Sequence, residues 1–497
     1  MMSKSVDVLV ITPPRKSVIN NVIVNNYPPN NQGIDSIPLR LAAVVEKKYT
    51  VGFFPFYYTQ YNYLNIDLEE VEKVLKKYQP KILIISTDYF ISNRTTSTVQ
   101  SSLVIMKEYK KLFKNGKTIV TGKHAIVNPE DYFNDNCCDV AVMSEAENII
   151  NEVIKALLDN NYESLKDINN LMFFENEVIK TELREENVDV NKLPVPAFNL
   201  LAEYIDILIE KEKPIGDKVS ITLRSSYGCV YNCPFCGGLK NWNNYRMRNA
   251  EGLKKDIDYM KSCLGNKAEI VFLDDELFTM NKEHVIEVGN VFNKEGIYIQ
   301  GVLTHVNYFN EEIAEIICKF SHGIIFGGEN FCDNILEDIN KNQNVEKILK
   351  ACSVAKKYNL DTRIEYIVGL PSETPKTIVK NINFIYNAIC SGKIDIVVPY
   401  VLVPHPGTKF NISSDEYGIN IIDNDYSNYI EEGNYPVYET NRLTRAQIYI
   451  YYLLLLNNIY AAKHVNKVLG NDNYLSNTTY SEDLFVEFFN NISSHGN

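Results

Sequence analysis

Along most of the chain, short apolar runs alternate with stretches in which apolar residues return every three or four positions. Val6 to Thr12, Thr50 to Pro55, Lys81 to Thr87, Lys117 to Gly122 and Asp139 to Ser144 read as buried strands. Between them, Pro38 to Lys48, Asp67 to Tyr78, Thr96 to Phe113 and Glu145 to Asn160 carry helical spacing. This alternation predicts an α/β domain over 1–160, a doubly wound parallel sheet with helices on both faces. Ligands of such sheets bind at the carboxyl ends of the strands. The loops Pro13 to Ile37, Asp88 to Thr95 and Gly122 to Pro129 are therefore the candidate ligand loops.

Residues 161–217 are mixed, acidic and punctuated by proline (Leu193 to Phe198), which predicts a linker with a small helix at Leu200 to Glu210. From Lys218 the alternation resumes. Strands are expected at Val219 to Leu223, Glu269 to Leu273, Tyr298 to Leu303, Gly323 to Phe326, Thr362 to Val368 and Ile394 to Leu402. Helices are expected at Ala250 to Cys263, Lys282 to Asn293, Glu311 to Lys319, Val345 to Tyr358 and Pro375 to Ile389. Six β–α units over 218–409 predict a partial, laterally open barrel with its chemistry at the carboxyl ends of the strands. Residues 410–497 read as a C-terminal helical region.

Composition narrows the function. With 50 basic against 63 acidic residues the chain carries −13, which gives no footprint for nucleic acid or an anionic membrane. The apolar stretch Ile448 to Ala462 is too short to span a bilayer and reads as a buried helix. No signal peptide is apparent, and the ten cysteines are too dispersed for a disulfide scaffold, so a cytoplasmic, reducing setting is expected.

Three of those cysteines, Cys229, Cys233 and Cys236, stand in a C-x3-C-x2-C spacing within Ser225 to Gly238, directly after the first expected barrel strand. Thiolates are the usual ligands of iron–sulfur clusters. A structural zinc normally takes four ligands, and no fourth Cys or His is near in sequence. Three thiolates on a cubane leave one iron open to an external ligand. Gly228, Gly237 and Gly238 allow close backbone approach, and Phe235 adds an aromatic wall.

This motif, placed after a barrel strand, resembles that of the radical S-adenosylmethionine (SAM) superfamily. The resemblance implies a 4Fe–4S cluster whose open iron is chelated by SAM, and reductive cleavage of SAM to a 5′-deoxyadenosyl radical. It extends to Gly327-Gly328-Glu329, similar to the family's segment that contacts the methionine moiety. It also reaches Ile367-x-Gly369-x-x-x-Glu373, similar to the segment near the adenine, and Pro404 to Thr408 after the sixth strand. Arg363 is a candidate for the SAM carboxylate or for a surface ion pair.

A flavodoxin-like domain ahead of such a barrel resembles the cobalamin-binding branch. The matching segments are Pro13-Pro14, Ile37 to Leu39, Thr121 to Ala125, Ser144 to Glu147 and Leu193 to Pro196. The chain departs from the branch pattern with Lys123 and Ser144 where glycines are usual. The resemblance implies cobalamin between the two domains, with Ser92, Thr95, Gly122 and His124 as candidate contacts; a cofactor-free scaffold is the alternative.

At the expected barrel mouth, Asp274, Asp275 and Glu276 follow the second strand. They are candidates for substrate binding or base catalysis, or for helix capping and ion pairs with Arg246 or Arg248. His305, Tyr366, Tyr400 and His405 face either the site or the core. The leading expectation is a cobalamin-dependent methyltransferase acting on an unactivated carbon of a small natural product or peptide. It would be served by a reducing partner such as flavodoxin or ferredoxin. A radical rearrangement, cyclisation or oxidation, and a non-catalytic iron–sulfur or corrinoid carrier, are the alternatives.

Overall fold

The computed structural model describes residues 4–14, 33–56, 67–88, 92–212, 217–237 and 244–469. The chain forms two compact units. One holds the first strand, Val24–Ser225 and Gly237–Asp274; the other holds Ser226–Cys236 and the chain from Asp275 onward.

In the first unit, β1 (Val8–Thr12) lies between β3 (Val51–Pro55) and β4 (Ile82–Ser86), followed by β5 (Lys117–Thr121) and β6 (Val140–Val142), all parallel. Every residue of β1, β3 and β4 is buried, as continuous apolar runs in a doubly covered sheet require. The helices Leu68–Tyr78 and Val99–Leu112 supply the expected amphipathic cover. Asp67 caps the first of them by accepting from the amides of Glu69 and Glu70.

Three local expectations are corrected. The predicted linker contains β7 (Leu171–Phe174) and β8 (Val178–Lys180), an antiparallel hairpin that extends the sheet beyond β6. Its signal is a short apolar run broken by Glu175 to Glu177. The helices predicted at Thr96 and Glu145 open instead as 3-10 turns, Ser92–Thr98 and Ala146–Asn148. The single small helix after the proline segment is two, Asn199–Ala202 and Ile205–Glu212.

The same unit carries β9 (Val219–Leu223) between β2 (Ile34–Asp35) and β12 (Ala268–Leu273), all parallel; β10 (Ser226–Tyr227) and β11 (Arg246–Met247) are two-residue strands. The first unit is held by a buried charge cluster. Asp256, on the helix Ala250–Leu264, accepts from Arg40 Nη2 at 2.8 Å and from Arg248 Nη2 at 2.8 Å, and lies 2.7 Å from Arg248 Nε. Those guanidinium groups also donate to the carbonyls of Pro194 and Val190, so the proline segment is fastened rather than loose.

In the second unit, β13 (Gly301–Thr304), β14 (Gly323–Glu329), β15 (Asp361–Val368) and β16 (Ile396–Val401) pair in chain order, all parallel. Strand alternation sorts their side chains. Arg363, Glu365 and Ile367 share one face with Tyr400, whereas Thr362, Ile364, Tyr366 and Val368 are buried beneath the helices. The C-terminal region is not wholly helical. It includes an antiparallel pair, β17 (Ile419–Ile421) and β18 (Tyr438–Thr440), before the helix Arg445–Leu469. Among the described residues no helix is long and apolar enough to cross a membrane.

Candidate functional site

In the second unit the three-cysteine loop is pinned from several sides. The backbone turns at Gly228, whose φ of 85° is left-handed, and its amide donates to Glu276 Oε2 at 3.2 Å. Ser226 Oγ donates to Asp275 Oδ2 at 2.9 Å. Tyr231 stacks on His305 with ring centroids 4.3 Å apart. The Pro234 carbonyl accepts from the Phe410 amide at 3.1 Å. Gly238 lies outside the described residues.

Cys229, Cys233 and Cys236 are half-buried and form no disulfide among the described residues. Burial pushes the Cys229 thiol up and the Cys233 thiol to about 12; Lys341 opposes both shifts. The thiols lie close enough to raise one another's pKa, yet among the described residues no His/Cys/Asp/Glu group converges on a single metal ion. A mononuclear zinc needs donors gathered within about 2.3 Å of one centre. Free thiols spread around a common space, with a cation beside them, fit a larger iron–sulfur cluster. Binding it would release their protons.

Lys341 was not legible from the sequence. Its ammonium lies 2.7 Å from Glu329 Oε1 and 6.0 Å from the centre of the Phe235 ring. Burial disfavours the charge, but Glu329, Cys233 and Cys236 more than offset that and hold the lysine protonated. The Gly-Gly-Glu segment now has a physical account. A Cβ on Gly327 would come 2.7 Å from both Glu329 Oε1 and Lys341 Nζ, and one on Gly328 would come 2.3 Å from Ile364 Cγ2. Gly328 is required by close approach to Ile364, whereas a Cβ at Gly327 would displace the movable ends of Glu329 and Lys341.

Other expected residues fall differently. His305 is 4% exposed; its Nδ1 accepts from the Asn307 amide, so Nε2 carries the proton that it donates to the Lys341 carbonyl at 2.8 Å. Burial, reinforced by Lys341, lowers its pKa to about 3. A neutral ring with both nitrogens engaged supports Tyr231 and is no proton donor at neutral pH, which corrects its catalytic candidacy. Tyr366 is also corrected. It points to the helix side of β15, fully buried, bonded to Glu373, Asn330, Asn381 and Tyr451.

Glu373 organises the Ile367 to Glu373 segment by accepting from the amides of Gly369 at 2.7 Å and Leu370 at 3.2 Å. Burial raises its pKa to about 7 against these bonds. At Gly369 a Cβ would meet Tyr438 Oη at 2.2 Å, so this glycine makes room for the C-terminal region. Ile367 stays on the face of Arg363 and Glu365. Arg363 Nε lies 2.7 Å from Glu365 Oε1, and its Nη2 donates to Tyr400 Oη at 2.7 Å. The ion-pair alternative is the one observed. His405 is likewise engaged, with Glu431 at 2.6 Å.

The mouth carboxylates do not pair with Arg246 or Arg248. Asp274 takes Arg224, Asp275 takes Ser226, and Glu276 takes the Gly228 amide. Arg246 pairs bidentately with Glu145, and Arg248 with Asp256.

At the carboxyl edge of the first unit's sheet, Ser92 sits in the 3-10 turn, its side chain outside the described ones. Thr95 and His124 are 2% and 1% exposed and bond to each other's segments: Thr95 Oγ1 accepts from the His124 amide, and the ring meets Thr96 and Asp131. They shape the edge from beneath rather than presenting free donors. Gly122, at φ 118°, admits Thr87, whose Oγ1 would lie 2.1 Å from a Cβ. Sequence reasoning missed the groups left at this edge. Asp88 has no hydrogen-bond or ion-pair partner among the described residues, and the Glu147 carboxylate accepts from its own backbone amide. Burial raises them to about 6 and about 7, with Lys123 and Arg224 opposing the first. Thr121 Oγ1 is buried without a partner. Desolvated groups near neutrality suit a polar, uncharged fringe such as the amides of a corrinoid, and the site fits that group.

A doubly wound sheet, a parallel β/α sheet and a three-thiol loop beside a buried Lys–Glu pair define a class of iron–sulfur α/β enzymes. Residues 223–385 match the radical SAM superfamily, so the chain carries a radical SAM domain. It is 27% identical to an uncharacterized methyltransferase of Pyrococcus horikoshii, over 82% of each chain. Its fold is similar to that of the radical SAM methyltransferase TsrM from Kitasatospora setae, solved with cobalamin and a [4Fe-4S] cluster. There the TM-score is 0.62 and the identity 14%, over 84% of this chain and 80% of that one. The cobalamin-dependent SAM radical enzyme OxsB, with aqua-cobalamin bound, gives a TM-score of 0.65 at 14% identity, over 99% of this chain and 76% of that one.

Proposed function

We propose that the chain is a cobalamin-dependent radical SAM methyltransferase acting on an unactivated carbon of a small molecule or peptide. The observation that carries the reading is the edge formed by Asp88, Thr121 and Glu147, where burial raises two carboxyl groups toward neutrality beside a buried hydroxyl that lacks a partner. TsrM and OxsB, which share the fold, bind cobalamin. On this reading Cys229, Cys233 and Cys236 hold the 4Fe–4S cluster, and the Gly327–Glu329 segment meets SAM. The corrin module extends through the hairpin to Lys180. When bound, the cluster would supply one electron for cleaving SAM, and the corrinoid would carry a methyl group. The chain's own residues do the rest. Glu373 fixes the Gly369–Leu370 turn, Tyr231 on His305 holds the thiol loop, and Asp88 and Glu147, whose pKa values burial raises toward neutrality, would hydrogen-bond the corrin amides. A flavodoxin- or ferredoxin-type donor in the cytoplasm would provide the electron.

Purification with hydroxocobalamin, followed by gel filtration and a visible spectrum, tests this. A stoichiometric corrin band is expected, and after reduction of the cobalt to Co(I) with a low-potential chemical reductant and addition of methyl-labelled SAM the corrin fraction should retain label before substrate is added. A missing band with iron intact would reduce the first domain to a scaffold. A corrin that never takes label would favour rearrangement or oxidation.

A further inference from the structure

We propose that two opposed charges beside the thiol loop, the Glu276 carboxylate and the Lys341 ammonium, set the reduction potential of the cluster, Glu276 lowering it and Lys341 raising it. The proposal rests on the radical SAM reading and gives Glu276 a role beyond the hydrogen bond it makes. Gly228, left-handed at φ 85°, immediately precedes Cys229, and its amide donates to Glu276 Oε2 at 3.2 Å. The loop does not hang on that bond alone. Ser226 Oγ donates to Asp275 Oδ2 at 2.9 Å, and the Pro234 carbonyl accepts from the Phe410 amide at 3.1 Å. A neutral amide side chain at 276 could accept from Gly228 as well. What the carboxylate adds is charge, and its field reaches Cys229 and pushes that thiol up.

Lys341 comes from a different element, the loop after the helix Asp333–Asp338. That loop is fixed: the Lys341 carbonyl accepts from His305 Nε2 at 2.8 Å, and Gln343 Nε2 donates to the carbonyls of Gly327 at 2.9 Å and Gly328 at 3.0 Å. Cys233 Sγ lies 4.0 Å from the Asn340 carbonyl, and the Lys341 ammonium 6.0 Å from the centre of the Phe235 ring. The lysine opposes the rise of both the Cys229 and Cys233 thiols. The potential of an iron–sulfur cluster follows its net charge, the hydrogen bonds to its sulfurs and its exposure. A cubane on three thiolates is already anionic, so the electron it takes up is repelled by Glu276 and attracted by Lys341. Glu329, 2.7 Å from Lys341, offsets part of that attraction, so neutralising the lysine also uncovers a carboxylate. The carboxylate makes the reduced cluster the stronger donor, and the lysine makes the oxidised cluster easier to reduce.

The test is a redox titration followed by electron paramagnetic resonance, on the anaerobically reconstituted full chain, without SAM and with titanium(III) citrate as reductant. Iron is measured first; a wild-type chain that takes up no four-iron cluster would overturn the radical SAM reading itself. At the potential that half-reduces wild type, Glu276→Gln, which keeps an acceptor for Gly228, should raise the ratio of reduced to oxidised cluster. The rise should be about three- to tenfold, tenfold being about 59 mV for one electron. Lys341→Gln should lower the ratio by a similar factor, and the double variant should return toward wild type. Loop clamping alone would not give opposite shifts that cancel. A variant with full iron and the wild-type ratio overturns the proposal, as do shifts of the same sign. Should Glu276→Gln lose iron, Lys341→Gln carries the test; loss of iron from both would assign the two charges to cluster assembly and overturn it.

Discussion

Replacing Asp256 by Ala removes the one carboxylate that neutralises Arg40 and Arg248, all three side chains being 1–2% exposed. The guanidinium groups keep backbone carbonyls, Pro194 for Arg40 at 2.6 Å and Val190 at 2.7 Å and Leu193 at 3.4 Å for Arg248, so neither is wholly stranded. Breaking a buried pair by removing one partner costs about 3–5 kcal/mol, because the charge left behind is desolvated. With a urea slope of about 3 kcal/mol/M, the first unit's transition should fall by about 1–1.7 M. Far-UV circular dichroism reads the transition. Limited proteolysis should show earlier cleavage around Val190 to Pro194, whose carbonyls those arginines hold. Apolar replacement of the whole group, Arg40→Met with Arg248→Met and Asp256→Leu, should cost far less than the single change. A shift below about 0.3 M for Asp256→Ala, or a triple variant as unstable as the single one, would refute the reasoning.

Single Cys229→Ala, Cys233→Ala and Cys236→Ala variants should each lose the iron and the brown colour after anaerobic reconstitution, while Cys263→Ala keeps both; a cluster surviving all three changes would sink the assignment. Glu373 has a folded pKa of about 7 against an ordinary 4.5, so the folded state holds its proton longer and stability falls as pH rises from 4.5 through 7. The expected loss is about 3 kcal/mol, and Glu373→Gln should flatten that part of a denaturation-versus-pH profile; an unchanged profile counts against it. Gly122→Ala should lower the melting temperature, since φ 118° and the Thr87 hydroxyl both exclude a methyl group. Equal melting temperatures would show that the loop relaxes freely.

What the chain discloses in one dimension depends on how local the determinant is. The long buried strands declare themselves because both faces are covered, as in Ile82–Ser86, where every residue is apolar or small. The strand Ile34–Asp35 does not, because two residues carry no period; it exists by pairing with Ile221 and Thr222, far along the chain. The hairpin Leu171–Lys180 hides for a related reason, since its exposed second strand has little apolar content and is recruited by the free edge of Val140–Val142. The thiol loop was legible because all three cysteines fall within eight residues. Lys341 was not. It lies twelve residues beyond Glu329, and its importance comes from a loop folding back onto that carboxylate. Tyr366 shows the converse: its sequence position on the fifth strand suggested chemistry, and strand alternation turns it into the core.

The interior charges differ in how firmly they are held. Arg40 and Arg248 are matched to Asp256, Arg246 to Glu145, Arg224 to Asp274 and Arg363 to Glu365. A guanidinium locked in a bidentate or branched set is costly to redirect, because opening it leaves a buried carboxylate unpaired. Lys341 differs in kind. It is a point charge on a flexible stem, it meets Glu329 through one contact, and its field reaches Cys229, Cys233 and Cys236. An ammonium can change partner by a small rotation where a guanidinium fork must break two bonds. Lys341 is therefore held less firmly than the paired guanidinium groups.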